Sequence, residues 1–253
     1  MELYEDSTVM LFTIFLIGLI PSLGVSGHHE ESNSPVAYVL TMGVKSSDLA
    51  GTAQAAGKFL DSGALAKRNV GMGLYGLNAK GDNPATMIIE YIYPNGESLP
   101  SPNVLTVSEP HVAFNKAQRA MGNEIISSTL YSSVYEVIPP ETLETNKVFY
   151  AYYLQVSDPA EYLKEWKTLM KEMQKAGLGS DGYGIREVVA GGENGETHMI
   201  WMGYPSMAKL VDNFKATNST EMVNEFMSKV SGIRTVTRTA IVSQLALSTA
   251  EIF

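Results

Sequence analysis

No cysteine occurs among the 253 residues, which removes a disulfide framework, a thiolate nucleophile, an iron–sulfur cluster and lipid attachment through sulfur. Histidine is scarce as well, with four in the chain, and two of these are adjacent at His28 and His29. Clustered Lys and Arg are missing and the formal net charge is −9, so a nucleic-acid backbone is excluded as partner. No Ser-His-Asp order, metal-spaced cluster or phosphate loop is present. What remains, 45% hydrophobic and 18% charged residues, is the balance of a folded globular chain with length for two modest cores.

The strongest positive signal is internal. The segment from Gly71 to Pro94 returns 111 positions later as Gly182 to Pro205, with Gly71, Gly73, Ala79, Gly81, Asn83, Thr86, Ile89, Tyr93 and Pro94 each meeting an identical residue. Leu40 over Leu154, Leu49 over Leu163 and Gly63 over Gly177 extend the match upstream in a frame of 114. Each unit is thus about 110 residues, far longer than a solenoid repeat and the size of one small domain. The chain divides into 1–27, 28–35 as a polar lead, repeat 1 at 36–138, a linker at 139–147, repeat 2 at 148–246 and a tail at 247–253.

Residues Val9 to Ile20 are an unbroken apolar run of signal-peptide length, followed by Pro21 and Gly24, and Val25-Ser26-Gly27 puts small residues at −3 and −1 of a cleavage site before His28. The flank is acidic (Glu2, Glu5, Asp6) where a basic one is usual, and a retained anchor helix is the alternative. The expectation is a secreted or periplasmic protein with no stable membrane association once the signal is removed. Cleavage would leave His28 and His29 beside a free amine, either a Cu(II) or Ni(II) chelate or a solvated tail.

Within each repeat the patterning reads strand, helix, hairpin, helix, strand. In repeat 2, Phe149 to Val156 is strand-like. Asp158-Pro159-Ala160-Glu161 is a helix start with its cap, and Leu163, Trp166, Leu169, Met170 and Met173 form an apolar stripe that ends at Gly177. Tyr183 to Ala190 and Thr197 to Tyr204 flank a Gly-rich turn, and Arg234 to Leu245 closes the unit. Ile138 to Lys147 is polar with two prolines and reads as linker. The order βαββαβ is the ferredoxin-like arrangement, an antiparallel sheet with both helices on one face, so its other face needs a cover. The partner repeat supplies that cover, giving an α+β fold of tandem ferredoxin-like repeats packed sheet to sheet as an intramolecular barrel.

On that element order, the duplication and the helix from Asp158 to Gly177, the chain from Val36 to Leu245 resembles the dimeric α+β barrel superfamily in a fused, two-repeat form. The resemblance implies a range of activities: cofactor-free oxygenases acting on quinols and polyketides, haem enzymes such as chlorite dismutases and dye-decolourising peroxidases, muconolactone isomerases, and stress-responsive proteins. Fold does not choose among these.

The candidate site rests on where the two copies differ. His198 faces Met87 in the alignment, Trp201 faces Glu90, and Arg186 faces Tyr75. Period-two alternation groups His198 with Ile200 and Met202 and sets Met199 and Trp201 on the opposite face, either of which could be the lumen. A luminal His198 would serve as general base or as axial haem ligand; otherwise it is a half-buried strand histidine bonded to a neighbour. Arg186 would steer an anion, or pair across strands. His111 follows Pro110 in a helical first turn and is either a ligand or a surface residue. Tyr152 and Trp201 are the expected pocket walls, with Met87 and Glu90 as their repeat-1 complement. The expected partner is a small apolar or aromatic molecule, with no cofactor required, haem as the alternative, and a homo-oligomer left open. The functional expectation is a cofactor-independent monooxygenase-like enzyme with His198 as base, or a non-catalytic binding or stress-related protein using the same pocket.

Overall fold

The structure, a computed structural model, describes residues 36–100 and 108–249. The apolar leader, His28 and His29, and the last four residues of the tail lie outside the described residues. Repeat 1 contributes β1 (Tyr38–Lys45), α1 (Leu49–Asp61), β2 (Gly71–Ala79), β3 (Met87–Tyr93), α2 (Glu109–Ala120) and β4 (Glu124–Val137). A short α3 (Pro140–Thr145) stands between the repeats. Repeat 2 contributes β5 (Val148–Val156), α4 (Pro159–Lys175), β6 (Gly182–Ala190), β7 (His198–Tyr204), α5 (Met207–Thr217), α6 (Glu221–Val230) and β8 (Arg234–Ser248).

Local chemistry sets the first helix of each repeat. The Asp48 carboxylate accepts from the Gly51 amide at 2.8 Å, and Asp158 accepts from Glu161 at 3.1 Å, each satisfying one amide that the first turn leaves without an intrahelical partner. The two helix layers differ in bulk. α1 buries Thr52, Ala56 and Phe59, whereas α4 buries Tyr162, Trp166, Leu169, Met170 and Met173 among others. Glu165 on α4 meets Lys229 on α6 at 3.0 Å and ties the two helices together at their surface.

The strands form one closed barrel in the order β1-β3-β2-β8-β5-β7-β6-β4. Facing sheets were expected; the structure adds hydrogen-bonded seams between them, and the length of the last strand of each repeat is the reason. β4 pairs with β1 through residues 124–132 and with β6 of the other repeat through residues 130–137. β8 does the same, pairing with β5 through 234–243 and with β2 through 241–248. Each long strand bends at register shifts and serves both sheets, so no barrel strand is left with an open edge.

The cores follow strand parity. Outer faces pack on helices: Met72, Leu74, Met87, Ile89 and Tyr91 meet Ala56, Phe59 and Phe114, while Leu154, Val156, Tyr183, Ile185 and Ile200 meet Trp166, Met170 and Phe226. Inner faces pack across the lumen, with Tyr131, Ala151, Tyr153, Met199 and Ala240 at its centre and Val36, Val39 and Ile92 toward one end. The linker is not featureless at that end: Thr142 and Asn146 of the α3 segment are buried and close the lumen there. Among the described residues no helix is long and apolar enough to cross a membrane.

Candidate functional site

The lumen holds a cavity of about 100 Å³ at the α3 end, lined by Tyr75, Phe149, Tyr153, Met199 and Trp201 together with Glu90, Arg186 and the α3 segment. Arg186 enters from β6 and is 6% exposed. Its Nε donates to Glu136 Oε1 at 2.6 Å and its Nη1 to Glu90 Oε1 at 3.3 Å. The Trp201 indole N–H also donates to Glu136 Oε1, at 3.2 Å, and Thr41 Oγ1 donates to Glu90 Oε1 at 3.1 Å. Burial opposes the Arg186 charge, but Glu136 and then Glu90 outweigh it and hold the guanidinium more firmly protonated than usual. The guanidinium lies 5.6 Å from the Trp201 ring centroid.

The aromatic wall is continuous. Tyr75 meets Phe149 edge to face with centroids 5.5 Å apart, and Phe149 lies 6.2 Å from Trp201. Burial, then Glu90, pushes the Tyr75 phenol well above its ordinary range against the opposing pull of Arg186, so Tyr75 is neutral at physiological pH.

The repeated Gly-x-Gly pairs acquire a role here. A Cβ on Gly184 would stand 2.5 Å from Trp201 Nε1 and 2.7 Å from Glu136 Cγ, and a Cβ on Gly73 would stand 2.5 Å from the Tyr75 ring. The two positions are equivalent in the repeats, and both leave room on the luminal face for a folded-over aromatic side chain.

The other end of the lumen carries a second charged group. Arg238 Nε and Nη2 donate to Glu196 at 2.7 and 3.2 Å, Glu193 approaches at 3.7 Å, and the guanidinium stacks on Tyr153 at 3.5 Å from its centroid. Burial pushes the Tyr153 phenol up to about 12 against the opposing pull of Arg238.

Of the six residues expected at the site, Arg186, Glu90 and Trp201 come together in the lumen. His198, Tyr152 and Met87 do not. They project from the other face of their strands, toward the helices: Met87 packs with Phe59 and Phe114, and Tyr152 packs with the α4 core and sits 4.5 Å from the Tyr150 ring. His198 shares the face of Ile200, is 4% exposed, and bonds Thr197 Oγ1 through Nδ1 at 2.9 Å. Burial pulls its imidazole down from 6.5 to about 4. The luminal His198 of the sequence reading is therefore corrected to a neutral, bonded histidine of the outer sheet face. The expected anion-steering Arg186 is corrected too, since its charge is already met by two carboxylates.

Among the luminal residues not singled out as site residues are Glu136 and Tyr75. Glu136 carried the one available signal, a carboxylate in the apolar final strand of repeat 1, where alternation opposes it to Tyr135 and Val137.

Among the described residues neither histidine is placed to hold a haem in the lumen. His111 rests on Phe59, 5.3 Å between ring centroids, and its pKa is lowered by burial and by Arg68. Neither it nor His198 lines a described cavity, and the luminal cavity is far smaller than such a group. Among the described residues no group of three or more His, Asp and Glu is arranged to hold a metal ion.

No family model and no curated protein matches the chain. Solved structures do. A protein named "putative monooxygenase" from Lactobacillus acidophilus superposes with a TM-score of 0.54 at 11% identity, over 85% of this chain and 96% of that one. An anthrone oxidase-like protein superposes with a TM-score of 0.52 at 9% identity, over 85% and 94%. A second protein named "putative monooxygenase", from Fusobacterium nucleatum, gives 0.50 at 10% identity, over 84% and 93%. At such identity the likeness is one of fold alone: this chain has the fold of the dimeric α+β barrels, with both halves on one polypeptide.

Proposed function

We propose that the protein is a small-molecule-binding barrel whose ligand occupies the lumen beside Glu90, Arg186 and Trp201 and enters at the end closed by α3. The observation that carries the reading is the luminal cavity with an aromatic wall and a charged cluster set in it. Burying Arg186, Glu136 and Glu90 costs several kcal/mol per ion before pairing, and hydrophobic side chains of similar volume would stabilise a barrel at least as well. A cluster of that cost, in a cavity, has the composition of a binding site: a mostly apolar lining with a few convergent polar groups.

The cavity, about 100 Å³, is below the roughly 150 Å³ that admits benzene, so molecules of a few non-hydrogen atoms fit it as it stands and an aromatic ring requires its walls to yield. Binding without turnover is favoured over oxygenase chemistry because His198, the base that such chemistry was expected to use, lies on the opposite face of β7. The names of the structural neighbours are compatible with either reading. The apolar leader supports export to the periplasm or medium, which the N-terminal residue of the protein recovered outside the cytoplasm would decide.

Calorimetric titration with a panel of compact probes (tert-butyl alcohol, phenol and tetramethylammonium) tests the proposal. Saturable binding of at least one is expected, together with its loss in Ala151→Leu, which fills the lumen from β5. Binding by none, or binding that Ala151→Leu leaves unchanged, contradicts it.

A further inference from the structure

From an unmet hydrogen-bond acceptor on the luminal wall we infer that the site selects a small alcohol, whose hydroxyl donates to Gln244. The inference rests on the luminal site proposed above and names what that site recognises. Among the described residues, five buried side-chain polar atoms meet no hydrogen-bond partner: Gln118 Nε2, Asn123 Oδ1, Ser133 Oγ, Tyr162 Oη and Gln244 Oε1. Of these five residues, Gln244 lines the luminal cavity. A buried acceptor left unpaired has given up water and gained nothing in return, so each one in a folded protein calls for a cause.

Strand geometry sets Gln244 on the luminal face. On β8 it follows Ala240 and Val242 at intervals of two; Ala240 packs in the luminal core and Val242 lines the cavity. Gln244 pairs with Tyr75 of β2, and its backbone N–H donates to the Lys147 carbonyl just ahead of β5. It thus stands between the two strands that carry Tyr75 and Phe149, on the aromatic wall.

The duplication repeats the arrangement. Tyr75 and Arg186 are equivalent in the two repeats, and where Gln244 pairs with Tyr75, Ser133 of β4 pairs with Arg186. Ser133 shares the face of luminal Tyr131, two residues before it. β4 and β8 are four places apart in the closed order of eight strands, hence on opposite sides of the lumen. Both equivalent positions hold a polar side chain with a buried, unmet atom. An accident of packing at one has no reason to recur at the other.

The charged groups of the cavity are placed differently, because they hold one another. Arg186 donates to Glu136 and Glu90, Trp201 donates to Glu136, and Thr41 donates to Glu90. Gln244 Oε1 is an acceptor that a ligand need not take from the protein, and turning the amide toward a ligand breaks no bond at Oε1. In a cavity of about 100 Å³ the most compact group that supplies a donor is a hydroxyl, on an apolar body of a few atoms facing Tyr75, Phe149 and Val242. A ketone or hydrocarbon of the same shape leaves Oε1 unmet, which is how a site built around a hydroxyl rejects its analogues.

Isopropanol and acetone, which share one branched skeleton and differ in the hydroxyl, test the inference in parallel titrations of the full chain followed by the Trp201 indole N–H resonance. Isopropanol is expected to bind tighter than acetone by roughly tenfold or more. Gln244→Met, which keeps the length of the side chain and removes the amide, is expected to bring the two affinities within about twofold of each other. If the two bind equally to the wild type, the luminal site stands and the alcohol inference is overturned. Tighter binding of acetone overturns it as well, since the amide would then be presenting its NH2 group. A preference for isopropanol that survives Gln244→Met overturns the assignment to Gln244. Binding by neither overturns the luminal site itself, and the inference with it. Should Gln244→Met fold poorly, the side-chain amide resonances of Gln244 in the wild type decide: they are expected to shift with isopropanol and saturate together with Trp201, and their standing still overturns the assignment.

Discussion

At the residue scale, the site was half legible because spacing along a strand decides which side chains can meet. His198 and Trp201 are three apart on β7, and Met87 and Glu90 are three apart on β3, so alternation forbids either pair from facing one lumen. The divergence between repeats pointed to Glu90, Trp201 and Arg186, which the structure brings together in the lumen. It also pointed to His198, where the divergence has a packing meaning: repeat 1 fills the equivalent place with Met87, an apolar side chain of similar length buried on the helix side. A testable consequence lies in acid stability. The His198 pKa is lower in the folded protein, about 4, than its ordinary 6.5, so the unfolded chain binds the proton more readily. The stability that neutral His198 leaves intact is fully present above pH 6.5 and is lost as pH falls toward 4, by roughly 3 kcal/mol. His198→Met is expected to remove that portion of the acid loss, read as a smaller difference between urea midpoints at pH 7 and pH 4.5. An undiminished difference would place the acid sensitivity elsewhere.

At the element scale, the strongest local signals matched the structure. The Asp158-Pro159 start and Gly177 stop bound α4, and the paired Gly-rich turns bound both hairpins, because caps and turns are fixed by chemistry within a few residues. α3 was not legible. Its six residues begin at the second of two prolines in a polar stretch, too short for periodicity to speak, and its place is set by a distant contact. That contact is Asn146 against the paired glycines Gly182 and Gly203: a Cβ on Gly203 would stand 2.8 Å from Asn146 Nδ2. In repeat 1 the equivalent pair is Gly71 with Ile92, whose side chain turns into the lumen cluster with Val36 and Val39. Only repeat 2 therefore has a seat for the linker. Gly203→Ile, which installs the repeat-1 residue, is expected to unseat α3 and raise amide hydrogen exchange across residues 140–146 at least tenfold while the barrel strands stay protected. Unchanged exchange there would show that Asn146 does not hold α3 in place.

At the scale of the whole molecule, duplication made the architecture readable, since two βαββαβ units on one chain can cover each other's open faces without a partner. What the repeat pattern could not show is closure. The seams exist because β4 and β8 run 14 and 15 residues, long enough to pair within their own sheet and then with the neighbouring one, and strand length is the least definite thing a pattern provides. Closure turns the inner faces of both sheets into a single enclosed space, and it is this that brings Glu136 of β4 beside Arg186 of β6, residues from different repeats, across a seam. The site is thus a property of the assembled barrel and of neither repeat alone. Its central claim, that the lumen is where a ligand binds, is tested most directly by following the two tryptophan indole N–H resonances of the full chain during titration with tert-butyl alcohol. Trp201 lines the cavity, and Trp166, packed under α4 on the outer face, is a control within the same molecule. The account expects the Trp201 resonance to move saturably while Trp166 stays still. Movement of Trp166 alone, or of neither while calorimetry reports binding, would place the ligand outside the lumen and contradict it.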